Sequence, residues 1–111
     1  MHTETSEGTN DMAEFLVNIS FHWDDRVTDE QREQLRVEER ARAAELAAEG
    51  RLVRMWRVPG RRENWGLWRA NDATHLHETL TSMPIWPWMD IKVIALADHA
   101  VDPGAKAAAA G

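Results

Sequence analysis

Between residues 14 and 23 the chain reads EFLVNISFHW, and its apolar positions alternate. Phe15, Val17, Ile19, Phe21 and Trp23 fall on one side of an extended chain, with Asn18, Ser20 and His22 on the other, which predicts a strand with one buried face. DDRVTDEQ follows, where Thr28 or Asp29 can serve as a helix N-cap with acids in the first turn. From there to Glu49 the sequence is dense in Glu, Arg, Ala and Leu, all good helix formers, and Gly50 supplies a stop. RLVRMWRV (51–58) is a second strand, Pro59-Gly60-Arg61-Arg62 a turn, and ENWGLWRA (63–70) a third strand in a hairpin with the second. Asn71 or Asp72 caps a short helix whose Leu76, Leu80 and Met83 recur at helical spacing, and IKVIALA (91–97) is a fourth strand. In MPIWPWMDIKV (83–93), Pro84 and Pro87 each lack a donor and disfavour helical geometry in the residue before. This predicts an extended, stiff connection over 83–88 with Trp86 and Trp88 on the same side.

The order β-α-β-β-α-β contains two split βαβ units. It predicts an α+β, ferredoxin-like fold: a four-stranded antiparallel sheet with two helices on one face. The domain is expected over 13–100. Residues 1–12 are expected to form a disordered tail, and 101–111, ending in PGAKAAAAG, a flexible one.

Composition narrows the function. The chain has 111 residues, enough for one domain, and is 43% hydrophobic with six tryptophans. A net charge of −6 argues against a nucleic-acid groove. No apolar run approaches the ~20 residues of a membrane span. The start MHTETSEGTND lacks a signal peptide's basic and apolar regions. Cysteine is absent, which removes disulfides and thiolate chemistry and fits a reducing compartment. These features lead to an expectation of a cytoplasmic protein. Arg51, Arg54, Arg57, Arg61, Arg62 and Arg69 crowd one stretch, forming either a local anion site or a solvated basic face.

The first helix carries the candidate chemistry. At ~100° per residue, with Leu35 at zero, Leu46 falls near ~20°, Ala43 near ~80° and Ala47 near ~120°. Glu39 falls at ~40°, inside that apolar stripe, while Glu38 and Glu45 point away at ~300° and ~280°. A carboxylate turned toward a core is unusual, and desolvation raises its pKa toward the range of a useful general base. The alternative is a splayed helix that lets Glu39 reach water at the stripe edge. Arg36, near the stripe edge one turn earlier, can pair with Glu39 or hold an anionic substrate. Asn64 is either a turn-proximal polar group or a hydrogen bond to a ligand carbonyl. His75 and His77, two apart on a helix, face different ways, so no metal site is expected. No nucleophile elbow, phosphate loop or Ser/His/Asp signature is present.

Several stretches together resemble the muconolactone Δ-isomerase family over about residues 12–99. They are MPIWPWMDIKV; Leu76-His77-Glu78-Thr79-Leu80; Glu49-Gly50 with Met55-Trp56-Arg57; and Arg62-Glu63-Asn64-Trp65. The resemblance implies a ferredoxin-like fold, no metal or organic cofactor, and self-association into ring-like homo-oligomers, typically decamers, with sites near subunit contacts. It places the family's proton-shuttling glutamate at Glu39. It also makes Arg36, Arg54, Arg57, Asn64, Trp65, His77, Trp86 and Trp88 the expected substrate-binding set. On a flat strand Arg54 and Arg57 cannot both face the pocket. The chain departs from the family in having Arg36 for a lysine, Trp65 for a tyrosine, and Trp86 and Trp88 for a phenylalanine and a tyrosine. A less polar, indole-walled pocket points to muconolactone or a bulkier lactone. The reaction implied is a carboxylate-mediated double-bond shift in an unsaturated lactone. Two rival readings are a cofactor-free ferredoxin-like oxygenase or cyclase acting on an aromatic or polyketide-like substrate, and a non-catalytic binding subunit.

Overall fold

A computed structural model describes residues 12–104. The disordered tail expected over 1–12 lies outside the described residues except for Met12, as does the C-terminal tail beyond 104. Strand β1 (Ala13–Phe21) leads to helix α1 (Asp29–Ala48), strands β2 (Leu52–Arg57) and β3 (Glu63–Ala70), helix α2 (Ala73–Thr81), a 3-10 turn (Trp86–Trp88) and strand β4 (Met89–Leu96). The strands lie in the order β2-β3-β1-β4, and every neighbouring pair is antiparallel. This is the ferredoxin-like arrangement.

Local chemistry explains the boundaries. Thr28 caps α1: its hydroxyl accepts from the Gln31 N–H, and Gln31 returns a bond to the Thr28 N–H. Gly50, at φ 79°, ends the helix in the left-handed region that glycine enters without a Cβ penalty. Asp72 caps α2 by accepting from the His75 N–H.

Cross-strand partners share a face, so the register sorts the side chains. Phe15, Val17 and Ile19 of β1 share a side with Trp68 and Ala70 of β3. With Leu46 of α1 and Leu76, Leu80 and Met83 of and after α2, they form the buried core. Both helices therefore cover the same face. Their half-buried and buried positions on α1 are Arg32, Leu35, Glu39, Arg42, Ala43 and Leu46. Ala47, expected in this stripe, is exposed. Arg32 falls within the stripe and donates to the Val27 and Asp24 carbonyls, while Arg42 widens the stripe on the other side and donates to Ser82 Oγ and the Glu45 carboxylate.

The 83–88 segment corrects the sequence reading. It is not extended: the Trp86 N–H donates to Met83 O and the Trp88 N–H to Ile85 O, coiling Trp86–Trp88 into a 3-10 turn. Proline is compatible with the first positions of such a turn, where its missing donor is not needed. Trp86 and Trp88 consequently diverge instead of standing side by side.

Candidate active site

A cavity of about 580 Å³ opens between α1 and the end of the sheet where β1 and β2 finish and β3 and β4 begin. Its floor is apolar, with Ile19, Phe21, Ile85 and Met89 among its walls. Glu39 lines it from α1 and Asn64 from β3. Around them stand Arg32, Arg36, Arg40, Arg57 and Arg62, against only Glu39 and Glu63 as carboxylates. In a chain of net charge −6 this is a local reversal of sign that favours an anionic ligand. Among the described residues neither Arg57 nor Arg62 has a carboxylate within ion-pair distance.

Glu39 sits midway along the buried stripe of α1, as the helical spacing predicts. Its Oε1 accepts a 3.1 Å hydrogen bond from the Ile85 N–H, the donor at the start of the 3-10 turn. Burial pushes its pKa above the ordinary glutamate value, and the Ile85 bond offsets part of the rise by favouring the ionised form. Glu63 is held below its ordinary value, first by the Arg61 guanidinium at 2.7 Å and then by the Asn18 amide at 2.9 Å. The two cavity carboxyls are thus driven apart in acidity, Glu39 upward and Glu63 downward.

The expected binding residues divide among several places. Arg36 reaches the cavity rim, where its guanidinium and that of Arg32 each lie 5.7 Å from the Trp23 ring centre. Arg57 and Asn64 are register partners on the helix-covered face and both line the cavity. Arg54 does not. A register shift between Leu52 and Arg54 puts it on the open face, stacked 4.9 Å from the Trp56 ring centre. Trp65, paired with Asn18 and Trp56, also lies on the open face and cannot reach the cavity. His77 and Trp86 line a separate groove of about 350 Å³ between α2 and β4, with Leu80, Ile91 and Val93. Trp88 packs on Trp23, ring centres 5.4 Å apart, at the edge of an open hollow beside Leu35 and Glu38.

Sequence reasoning missed Trp23 as a site residue, although the alternation of β1 already put it on the side of Phe21. It also missed Met55, whose pairing with Gly66 places it on the covered face. The Ile85 N–H left no sequence signal, because it is a backbone group aimed by a turn the prolines concealed. Among the described residues no group of three or more His, Asp or Glu side chains could hold a metal ion. No described helix is long and apolar enough to cross a membrane.

Fold and cavity together define a small ferredoxin-like protein with a half-buried carboxylate of raised pKa, Glu39, over an arginine-rimmed, apolar cavity. The sequence pattern of the family described as Muconolactone delta-isomerase matches residues 13–102, and the chain belongs to that family. It is 37% identical over 70 residues to the Muconolactone Delta-isomerase of Pseudomonas aeruginosa, covering 63% of this chain and 73% of that protein. It is 31% identical over 86 residues to Muconolactone Delta-isomerase 2 of Acinetobacter lwoffii, covering 78% and 90%. A crystal structure of muconolactone isomerase superposes with a TM-score of 0.74 at 28% identity, covering 80% of this chain and 93% of that one.

Proposed function

We propose that this protein moves a carbon–carbon double bond within an unsaturated lactone, muconolactone or a bulkier lactone of the same chemistry, with Glu39 as the proton shuttle. The observation that carries the reading is the placement of Glu39. It is the cavity carboxylate whose pKa burial raises, and its Oε1 is anchored on Ile85, leaving Oε2 for the proton. Oε2 takes a proton from the saturated ring carbon that adjoins the far end of the conjugated system. The double bond shifts, and negative charge gathers on the lactone carbonyl oxygen. The same carboxyl then returns the proton to the carbon beside that carbonyl. Donors aimed at the carbonyl oxygen stabilise the intermediate. Asn64 is that donor, and Arg36, Arg57 and Arg62 hold the substrate's carboxylate at the rim. The steps use no metal or organic cofactor.

The reading includes self-association into a ring-like homo-oligomer. Trp56, Ile94 and Leu96 stand exposed on the open face of the sheet beside Leu16 and Leu67, and Val93 is exposed on the other face of β4. Apolar surface spread over both faces of an edge strand favours a second copy as its cover.

The direct test is to incubate the purified protein with muconolactone in heavy water and follow the carbon spectrum. Migration of the double bond supports the reading, and the share of protium carried to the carbon beside the carbonyl, against deuterium drawn from solvent, measures how fully Glu39 retains the proton it moves. Oxygen consumption without migration would instead indicate an oxygenase, and inertness toward a panel of unsaturated lactones would indicate a binding subunit.

A further inference from the structure

Asn64, Gly66 and Trp68 alternate along β3 and share its helix-covered face. Trp68 is fully buried, yet its indole N–H has no hydrogen-bond partner among the described residues. The carboxamide oxygen of Asn64 is likewise buried and unpartnered. Buried polar groups are rarely left unpaired, and here a donor and an acceptor stand on one strand face. Gly66 lies between them. The indole leans over this glycine so closely that a Cβ there would stand 2.6 Å from Nε1. The donor therefore sits above position 66, one side-chain repeat, ~6.6 Å, from position 64. The Asn64 side chain spans part of that distance. The remainder is of the order that one water bridges, since such a water joins polar atoms ~5.6 Å apart.

We propose that Trp68 is a positioning residue for Asn64: its indole N–H, through a single bound water over Gly66, holds the Asn64 oxygen inward, so that the NH2 edge faces the cavity as the donor to the lactone carbonyl oxygen. The inference deepens the isomerase reading and rests on it. An amide can present either edge, and the oxygen edge would repel the charge that develops on the carbonyl. An indole only donates. A water accepting from it has its own hydrogens to give, and in an apolar core an amide oxygen takes one while an amide NH2 takes none. The missing Cβ at Gly66 is what makes room for the indole.

Two measurements on the full chain test this. In a high-resolution crystal structure, a water should lie within ~3.2 Å of both Trp68 Nε1 and Asn64 Oδ1. In a Trp68→Phe crystal the Asn64 amide should lose its fixed orientation. On muconolactone, Asn64→Ala should lower kcat by ~10²-fold, the range of one lost oxyanion donor, and Trp68→Phe by ~10-fold with KM nearly unchanged. The double variant should be no slower than Asn64→Ala alone. A merely structural Trp68 would shift Tm and leave kcat unchanged. That result, additive losses in the double variant, or protein packed directly between the two atoms would overturn the proposal. If the wild type leaves muconolactone untouched, the isomerase reading has failed, and the two crystal structures still decide whether Trp68 orients Asn64.

Discussion

Glu39 answers two opposing demands. A base must be ionised to accept a proton, yet it must hold that proton long enough to deliver it elsewhere on the same substrate. Desolvation between α1 and the sheet strengthens proton retention, and the Ile85 N–H keeps the ionised form accessible. The activity profile should follow: kcat/KM falls as pH drops through the raised Glu39 pKa, at a pH above that of an ordinary glutamate. Stability should run the other way. A carboxyl whose pKa is raised on folding favours the folded state fully below its unfolded value, and that contribution is lost as pH rises through the folded value. Glu39→Gln should therefore match or exceed the wild type in Tm at neutral pH, with the advantage vanishing on acidification. A variant less stable at every pH would contradict this. The position of Glu39 was legible because helical spacing alone turns it inward. Arg57 was half legible: strand parity forbade a shared face with Arg54, but only the register with Asn64 shows which of them enters the cavity.

The least legible element was the 83–88 connection. Two prolines in five residues argue for extension, since each removes a donor and constrains its predecessor. The segment coils instead because the donors a 3-10 turn does need, at Trp86 and Trp88, are both present. That coil sends Trp86 toward α2 and Trp88 toward Trp23, and it aims the Ile85 N–H at Glu39. The third strand was read with its correct limits, yet its functional detail lies in packing that no pattern displays. Gly66 looks like a weak point in a strand. In the fold it is the gap over which the Trp68 indole lies. Gly66→Ala should lower stability by ~1–3 kcal/mol, the usual cost of overpacking a close-packed core. Denaturant unfolding measures it, and an unchanged midpoint would show that the indole moves aside freely.

The whole fold was legible in outline, because alternating strands and two capped helices admit few arrangements. Which surfaces meet another chain was not, since an exposed leucine and a core leucine look alike in sequence. The structure separates them. The tryptophans are split among the core (Trp68), the cavity side (Trp23), the open face (Trp56, Trp65) and the 3-10 turn (Trp86, Trp88). With Ile94 and Leu96 exposed at one edge of the open face and Trp56 at the other, light scattering at micromolar concentration should give a mass several times the 12.7 kDa of one chain. Charged replacements at Ile94 and Leu96 together should reduce it. A monodisperse monomer would remove self-association from the proposed function. Turnover should also survive exhaustive chelation. Loss on chelation with recovery on adding metal would replace the carboxylate mechanism.

Glu39 and its neighbour Glu38 provide a matched comparison on one helix. Glu38 is exposed and accepts from the Gln34 amide at 2.9 Å, away from the cavity. Both can be changed to glutamine with size and hydrogen bonding kept. With muconolactone as substrate, Glu39→Gln should slow double-bond migration at least ~10²-fold, the lower end of a general base's contribution. Glu38→Gln should turn over as the wild type does. Wild-type turnover by Glu39→Gln would contradict the assignment and place the base elsewhere in the molecule.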